Sequence, residues 1–411
     1  MEQTGLRERV SIQPVIRPIA LNPAACVEKI DDTEGFRKLR VEWNELLETS
    51  PSNCLFLTWE WLYTWWKHVS AGSKLSIITI RIDGELTAIA PLIVRPRRPL
   101  RSLEFLATED VGSDYLDLIV RCGSERQSLQ ALADYFCREG LALRFSQIKN
   151  GPSFAAQLSR QLQRRRWTCT GAKTNVCPFI RLAGHTWESY LATLDSEHRY
   201  NFKRRLKNLF KRFEVRFEAT VSEKQCRTAL SLLIHLHQLR WRDRGGSDAF
   251  HLPSLIAFHE ELSEIALRQR WLRLFVLWLD GKPAASLYGF VYNRVFYFYQ
   301  SGFDPIYSKE SVGLVTMGLA IKSALEEGVE EYDLLHGGER YKSLWSRESR
   351  DLERLDLYPP GGFGWLHKRA VGFGRTSRRI ARRVLPQVVA DRFMMAARLR
   401  GGKDSYASQP H

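Results

Sequence analysis

Apolar residues recur at two spacings along this chain, and the spacing changes where the predicted element changes. Positions three and four apart mark helices at "TEGFRKLRVEWNELLETS" and at the tryptophan-rich "TWEWLYTWWKHVS". Strand-like runs follow. "KLSIITIRIDGELTAIAPLIVRP" holds two β-rich stretches broken at Asp83-Gly84, a pair that accepts the positive φ of a tight hairpin turn. Short strands are predicted at "SLEFLAT" and "YLDLIVR" around Gly112, a glycine-stopped amphipathic helix at "ERQSLQALADYFCREG", and a further strand at "ALRFSQI".

The second half repeats this order. "TWESYLATLDSEHRYNFKRRLKNLFKRF" reads as helix and "EVRFEAT" as strand, followed by helices at "SEKQCRTALSLLIHLHQLRWRDRG" and "LPSLIAFHEELSEIALRQR". "LRLFVLWLDGKPAASLYGFVYNRVFYFYQSGF" gives three strands with turns at Asp280-Gly281 and Asn293. A helix at "VGLVTMGLAIKSALEEG" leads to the strand "EEYDLLH". Both halves contain strand, Asp-Gly turn, strand ("IRIDGELTAIAPLIV" and "LWLDGKPAASLYGFV"), which predicts a structural duplication. The expected organisation is an extended arm over 1–26 with Pro14, Pro18 and Pro23, units over 27–180 and 181–360, and a basic tail over 361–411. The two units are expected to pack their sheets together around a cleft.

Composition narrows the class. At 411 residues two domains are the prior, and 44% hydrophobic content is enough to bury sizeable cores. Seven scattered cysteines form no C-x-x-C pair, which argues for free thiols in a reducing compartment rather than a disulfide or metal framework. No signal-like apolar run opens the chain and no stretch reaches the ~20 apolar residues of a membrane span, so a cytoplasmic protein is expected. The net charge of +15 is uneven. Residues 361–411 hold eleven Lys/Arg against Asp391 and Asp404, a net of +9, which leaves +6 for the first 360 residues. The charge of the body therefore does not demand a polyanion.

Several segments taken together resemble a known family. "GKPAASLYGF", "YFYQSGFDPIYSKESVGL" and "EEYDLLHGGERYKSLW", with "FLTWEWLYTWW", "IAPLIV" and "GSDYLDLIV" in the first half, resemble the CelD/BcsL-type acetyltransferase-like proteins of the GNAT superfamily, relatives of the FemAB peptidyltransferases. The resemblance covers roughly residues 27–358. It implies an α/β (α+β) chain with two tandem GNAT-like domains, each a mixed β-sheet flanked by helices. It also implies acyl or aminoacyl transfer to an amine, with frequent ties to cell-envelope polysaccharide pathways.

Four motifs bear on that chemistry. The loop "FDPIYSKESVGLVTMG" sits between a strand and a helix, where free N–H groups can hold the pyrophosphate of acetyl-CoA or another acyl-CoA. Ser308, Lys309, Ser311 and Gly313 suit that role, although Glu310-Ser-Val-Gly313-Leu-Val315 keeps only the first glycine of the GNAT signature and replaces its base by an acid. The alternative is an ordinary helix start capped by Ser311. In "EEYDLLHGGERYKSLW", strand alternation places Tyr332, Leu334 and His336 on one face, with Asp333 and Leu335 on the other. Amine acylation needs a base and a donor for the developing oxyanion. His336 or Glu339 could supply the first, and Tyr341, Lys342 or the glycine N–H groups the second. The bland alternative is a structural Glu–Lys pair with Trp345 as a plug. The family's G-x-x-Y-K run matches Gly338, Tyr341 and Lys342 and favours the catalytic reading.

"HRYNFKRRLKNLFKRF" places Phe202, Leu206, Leu209, Phe210 and Phe213 on one helical face with Arg199, Arg205 and other basic residues around the rest. It reads either as a core-packing helix with a solvated basic face or as a site for an anionic acceptor, such as an undecaprenyl-linked sugar, an acidic polysaccharide or tRNA. Asp114 and Tyr115 read as turn residues by themselves, and the resemblance directs them into the interdomain cleft with Trp345 as a substrate contact. His235 and His237 lie two apart on a helix and face different directions, which gives no zinc pair. The expectation is an acyltransferase moving an acyl group, with acetyl the first choice, from acyl-CoA to an amine of a sugar or envelope precursor, without a metal. Its rivals are a FemAB-like transferase using aminoacyl-tRNA and a non-catalytic binding protein of an envelope-polysaccharide complex. The tail is expected to contact anionic inner membrane peripherally.

Overall fold

The structure is a computed structural model that describes residues 25–361, except 98–99, 109–110, 243–246 and 248. The proposed arm, apart from its last two residues, and the tail beyond Gly361 lie outside the described residues. Strands are numbered in chain order. One sheet runs β10 (Val215–Ala219), β11 (Leu272–Leu279), β12 (Lys282–Tyr292), β13 (Val295–Phe303), β14 (Glu331–Asp333) and β9 (Thr168–Arg181). It continues through β15 (Glu348–Tyr358), β8 (Ala142–Lys149), β6 (Leu100–Phe105), β5 (Leu92–Arg97) and β2 (Lys74–Leu75). A four-stranded sheet holds β1 (Cys26–Ile30), β3 (Ile77–Ile82), β4 (Glu85–Ala90) and β7 (Ile119–Val120).

The turn chemistry read from the sequence builds the hairpins. Asp83 and Gly84 adopt φ of 51° and 83° between β3 and β4, and Asp280 and Gly281 adopt 49° and 74° between β11 and β12. Asn293 and Arg294, at 47° and 61°, join β12 to β13. Both central residues lie in the left-handed region each time, the requirement of a two-residue turn that follows strand twist.

Each half follows one plan, in which antiparallel hairpins lead to a parallel pair. The pair is β6–β8 in the first half and β13–β14 in the second. The closing strands are then exchanged. β9, which ends the first half, pairs with β14, while β15, which ends the second, pairs with β8. β9 and β15 also pair with each other from Thr168↔Tyr358 to Phe179↔Glu348. The expectation of two sheets packed together is therefore replaced by one sheet joined edge to edge. The reason is that each half leaves one ladder edge open, and unpaired backbone groups are costly to bury. Neither half closes the edge of its own part of the eleven-stranded sheet, while the four-stranded sheet lies wholly in the first half.

The sequence reading missed β9, β15 and helix Phe154–Arg164. It also overextended "YLDLIVR", of which only Ile119–Val120 is strand, and fused two helices. Thr186 caps helix Trp187–Thr193 through a capping box with Ser189, and extended backbone at Leu194 separates it from helix Ser196–Arg212. On that second helix Phe202 and Leu209 are buried as expected, whereas Phe210 is exposed to solvent.

The core crosses the halves as well. Helix Trp59–Val69 packs on helix Pro253–Arg268, and the fully buried Trp61 meets Phe258 edge-on at 5.4 Å and Tyr299 at 5.8 Å. Its indole N–H donates to Ser113 Oγ at 2.9 Å, so the polar atom brought into the core is satisfied. Helix Glu223–Trp241, which shares this core, lies against β13 at Gly302, where a Cβ would stand 2.3 Å from the backbone nitrogen of His237.

That close approach is backbone against backbone and cannot relax by a rotamer change. Gly302→Ala is expected to lower stability by about 1–3 kcal/mol, as overpacked cores do. Chemical denaturation of the two proteins checks it, and an unchanged midpoint would show that the helix moves freely off the strand.

Candidate active site

Two parallel strands part at the centre of the second half. β13 and β14 are in register at Val295↔Glu331, Phe296↔Tyr332 and Tyr297↔Asp333, and pairing stops there. Leu335 adopts φ of 54°, its N–H held by Asp333 Oδ1 at 2.7 Å, and this ends the strand alternation read from the sequence. The segment instead follows β9, with Leu334 N–H on Pro178 O at 2.9 Å and Gly337 N–H on Val176 O at 3.2 Å. The divergence leaves a cavity of about 310 Å³. His336, Glu339, Tyr341 and Lys342 line one side of it, and Phe298, Tyr299 and Gln300 of β13 line the other. The four residues selected from "EEYDLLHGGERYKSLW" are thus brought together.

His336 is set by a residue 222 positions away. Its Nδ1 lies 2.8 Å from Asp114 Oδ1 and 3.0 Å from Oδ2, and its backbone N–H donates to Oδ2 at 2.9 Å. Asp114 is fully buried and also accepts from Gln147 Nε2 at 2.8 Å, while Asn175 donates to Gln147 Oε1 at 3.1 Å. A buried carboxylate ringed by donors needs a proton on Nδ1, so the neutral ring carries its lone pair on Nε2. Nε2 has no hydrogen-bond partner among the described residues, and the ring is about a third exposed. Burial disfavours the imidazolium, but the Asp114 carboxylate outweighs it and holds the ring above its ordinary value of 6.5.

The other groups hold the loop. Lys342 is 4% exposed, and its Nζ reaches His336 O at 2.7 Å, Leu335 O at 3.4 Å and Glu339 Oε2 at 3.2 Å. The three contacts match its three donors. Gly337 sits beneath them at φ of 142°, where a Cβ would come within 2.0 Å of Glu339 Oε2 and 2.6 Å of Lys342 Nζ. Helix Arg340–Trp345 fixes Tyr341, and burial keeps the Tyr341 phenol protonated far above its usual range.

Tyr341 also lines a second, larger cavity of about 590 Å³. β13 carries the two in succession, with Tyr299 and Gln300 facing the smaller and Ser301, Gly302 and Phe303 the larger. Arg204, Arg205 and Arg240 line the larger cavity, and no carboxylate does among the described residues. Arg240 donates to Ser301 Oγ at 3.1 Å and lies 5.7 Å over the Tyr341 ring. Ser311 and Gly313 of the predicted phosphate loop reach this cavity at the start of helix Val312–Glu326. Ser311 is left-handed (φ 57°) and its side chain makes no capping bond, so the expected alternative of a Ser311 cap does not hold. Ser308 and Lys309 are exposed and stand outside the cavity lining, with Lys309 offering its carbonyl to Arg205 at 2.5 Å. The acid that departs from the GNAT signature, Glu310, is paired with Arg212 at 3.0 Å.

The remaining sequence candidates separate. Arg205 and Trp345 line the larger cavity. Arg199 instead donates to Ala192 O at 3.1 Å, tying the end of the preceding helix. Asp114 and Tyr115, adjacent in sequence, face different partners. Tyr115 donates to Asp333 Oδ2 at 2.6 Å, and Arg350 joins the same oxygen at 3.1 Å. Burial raises the Asp333 carboxyl to about 7 against the opposing pull of those donors. Arg240, Gln147 and His259, the last a buried residue lining the smaller cavity, escaped the sequence reading, and only Arg240, in "HQLRWRDRGG", carried a local signal of charge beside aromatic residues. His235 and His237 form no pair, since His237 bonds Ser301 O and Ser247 Oγ. Among the described residues no group of three or more His, Cys, Asp or Glu is placed to hold a metal ion.

Residues 196–343 match the family model of an acetyltransferase (GNAT) domain. No curated protein matches the chain. The chain is similar to the crystal structure of FemX, with 12% identity, 79% of this chain and 96% of that one covered, and a TM-score of 0.55. It is also similar to a conserved protein of unknown function from Bacteroides thetaiotaomicron VPI-5482, with 11% identity, 81% and 100% covered, and a TM-score of 0.53. Likeness at this identity establishes the fold. The fold is GNAT-like, with two tandem units, each a mixed sheet flanked by helices, joined through their exchanged strands.

The Asp114 contact makes a spectroscopic prediction. In a histidine NMR titration, His336 is expected to titrate above 6.5 in the parent. In Asp114→Asn, losing the opposite charge should bring it down by about 1–3 units. Identical titrations would detach the carboxylate from the ring.

Proposed function

We propose that the protein is an N-acyltransferase of the CelD/BcsL-like, double-GNAT kind. It takes an acyl group, most simply acetyl, from acyl-CoA and delivers it to an amine of a sugar or cell-envelope polysaccharide precursor. One observation carries the reading: a cationic cavity and a cavity holding a histidine base meet at Tyr341. Residues 27–180 serve as the first unit and 181–360 as the second, which carries the reacting groups.

The donor end follows from charge. Arg204 and Arg205 and the uncapped start of helix Val312–Glu326 offer cationic and N–H contacts to a pyrophosphate. Pairing with Arg212 neutralises Glu310, which would otherwise repel that group. Among the described residues the charged side chains that line this cavity are arginines, which favours a simple acyl-CoA over an aminoacyl ester, whose α-ammonium they would repel. The reading places the protein where CoA thioesters are held, in the cytoplasm. Among the described residues no helix is long and apolar enough to cross a membrane.

At the acceptor end, the half-exposed Glu339 carboxylate accepts a hydrogen bond from a neutral amine, while Phe298, Tyr299 and Tyr341 provide flat surfaces for a sugar. The amine nitrogen bonds to the thioester carbonyl carbon as His336 Nε2 takes its proton. Collapse of the tetrahedral intermediate breaks the C–S bond, and the Tyr341 hydroxyl protonates the departing thiolate as the His336 imidazolium returns a proton to it. Lys342, its donors already engaged, acts as a positioning residue for the His336 loop rather than as the oxyanion donor.

Turnover is expected to rise with pH through the raised His336 pKa, because the base must be neutral. Thiol release from acetyl-CoA and longer acyl-CoAs with amino-sugar acceptors measures it. His336→Gln is expected to cost about 10²–10⁴ in kcat. Arg205→Ala is expected to weaken acyl-CoA binding in calorimetry while leaving kcat nearly unchanged. Acyl-CoA binding without turnover for any amine would select a non-catalytic binding protein, and no binding at all would remove CoA from the reading.

A further inference from the structure

One cation in the wall of the larger cavity is left without a counter-ion. Arg240, near the end of helix Glu223–Trp241, has its guanidinium 5.6 Å from the Trp241 ring, 5.3 Å from Phe303 and 5.7 Å from Tyr341. A single hydrogen bond, from Nη1 to Ser301 Oγ at 3.1 Å, fixes its direction. No carboxylate pairs with it among the described residues, its Nε is buried without a partner, and Nη2 has no acceptor. A cation drawn out of water ordinarily has an opposite charge beside it. Three ring faces and one hydroxyl orient this guanidinium and leave its charge uncompensated.

Its position says where the missing negative charge arises. Tyr341 lines both cavities, and Ser301, which holds Arg240, directly follows Gln300 of the smaller one. Arg240 therefore stands where the cavities meet. Burial and the Glu339 charge push the Tyr341 phenol up, and Arg240 opposes them, so its charge is felt at that junction. On the acyl-transfer reading, on which this inference rests, the pyrophosphate lies at Arg204, Arg205 and the start of helix Val312–Glu326, and the thioester reaches the junction. The thioester is neutral when it binds. Charge appears only as the amine adds and the C=O electron pair moves onto oxygen, and Lys342 is already engaged with its own loop. We propose that Arg240 is a catalytic residue whose free guanidinium N–H groups hold the thioester carbonyl oxygen as it becomes an oxyanion. The electron pair returns to the C–O bond as the C–S bond breaks, and Arg240 keeps its protons throughout. A contact that strengthens in the transition state raises kcat rather than affinity.

The test uses the full chain. Arg240→Met keeps an unbranched stem against the three rings and removes the charge. It is expected to lower kcat for thiol release by about 10²–10³, the cost of losing one oxyanion donor, with acetyl-CoA affinity in calorimetry unchanged. Arg240→Lys keeps the charge without the planar fork, should lose less, and serves if the methionine variant misfolds. Millimolar guanidinium chloride should restore part of the turnover of Arg240→Ala without raising that of the parent, a rescue that a purely packing role would not give. In infrared difference spectra, the carbonyl stretch of isotope-labelled acetyl-CoA should move to lower frequency on binding the parent and stay unshifted on binding Arg240→Met. That readout needs no acceptor, so it decides even where no amine is turned over. A parent-like kcat and carbonyl stretch in Arg240→Met would overturn the role. Weaker acetyl-CoA binding at unchanged kcat would overturn it too and make Arg240 a phosphate contact. Both outcomes leave the acyl-CoA reading standing, whereas a parent that binds no acetyl-CoA removes that reading and this role together.

Discussion

The two open sheet edges left by β8 and β14 govern this molecule. Each is closed by a strand from the opposite half, and β9 and β15 then pair along their length. The exchange turns two units into one continuous hydrogen-bonded ladder and fixes their relative position to within the tolerance of a backbone bond. It also draws the segment after β14 along β9 and away from β13, so the wedge that becomes the smaller cavity is a product of the same pairing. The site therefore depends on both units even though nearly all of its reactive groups come from one.

Asp114 is the principal exception, and it shows what that dependence involves. It comes from the first half, carries a charge with no exposure, and is satisfied by His336 twice and by Gln147. Removing one partner of such a buried charged group generally costs about 3–5 kcal/mol, because the other is left uncompensated. The same contact that orients the base thus contributes to holding the halves in register. Tyr115 extends the arrangement to the other side of the backbone, where Asp333 and Arg350 wait.

What could be read from the sequence was local. Asp83-Gly84, Asp280-Gly281 and Asn293 announced their turns because hairpin geometry depends on the two residues that form it. The gathering of His336, Glu339, Tyr341 and Lys342 was legible because they sit within seven residues of one another. β9 and β15 were not, because charge interrupts their alternation. Arg350–Glu331 and Arg144–Asp356 bury ions wholly or in large part by pairing them, which hydrophobic patterning does not register. The link from Asp114 to His336 spans the chain and leaves no spacing to notice. Phe210 was placed inside by periodicity alone, although its position at the edge of the apolar stripe turns it to solvent.

The exchanged strands also have a consequence for synthesis. β8 waits for Leu352–Leu357, some two hundred residues downstream, before its second edge is covered. As the chain leaves the ribosome, the first unit is present for most of that interval with a bare strand edge and an apolar face, the features that invite pairing with another chain. Contacts so distant in sequence also slow the final closure. The strand made last covers the edge of the half made first, so a chain truncated before residue 348 would leave β8 with that edge bare.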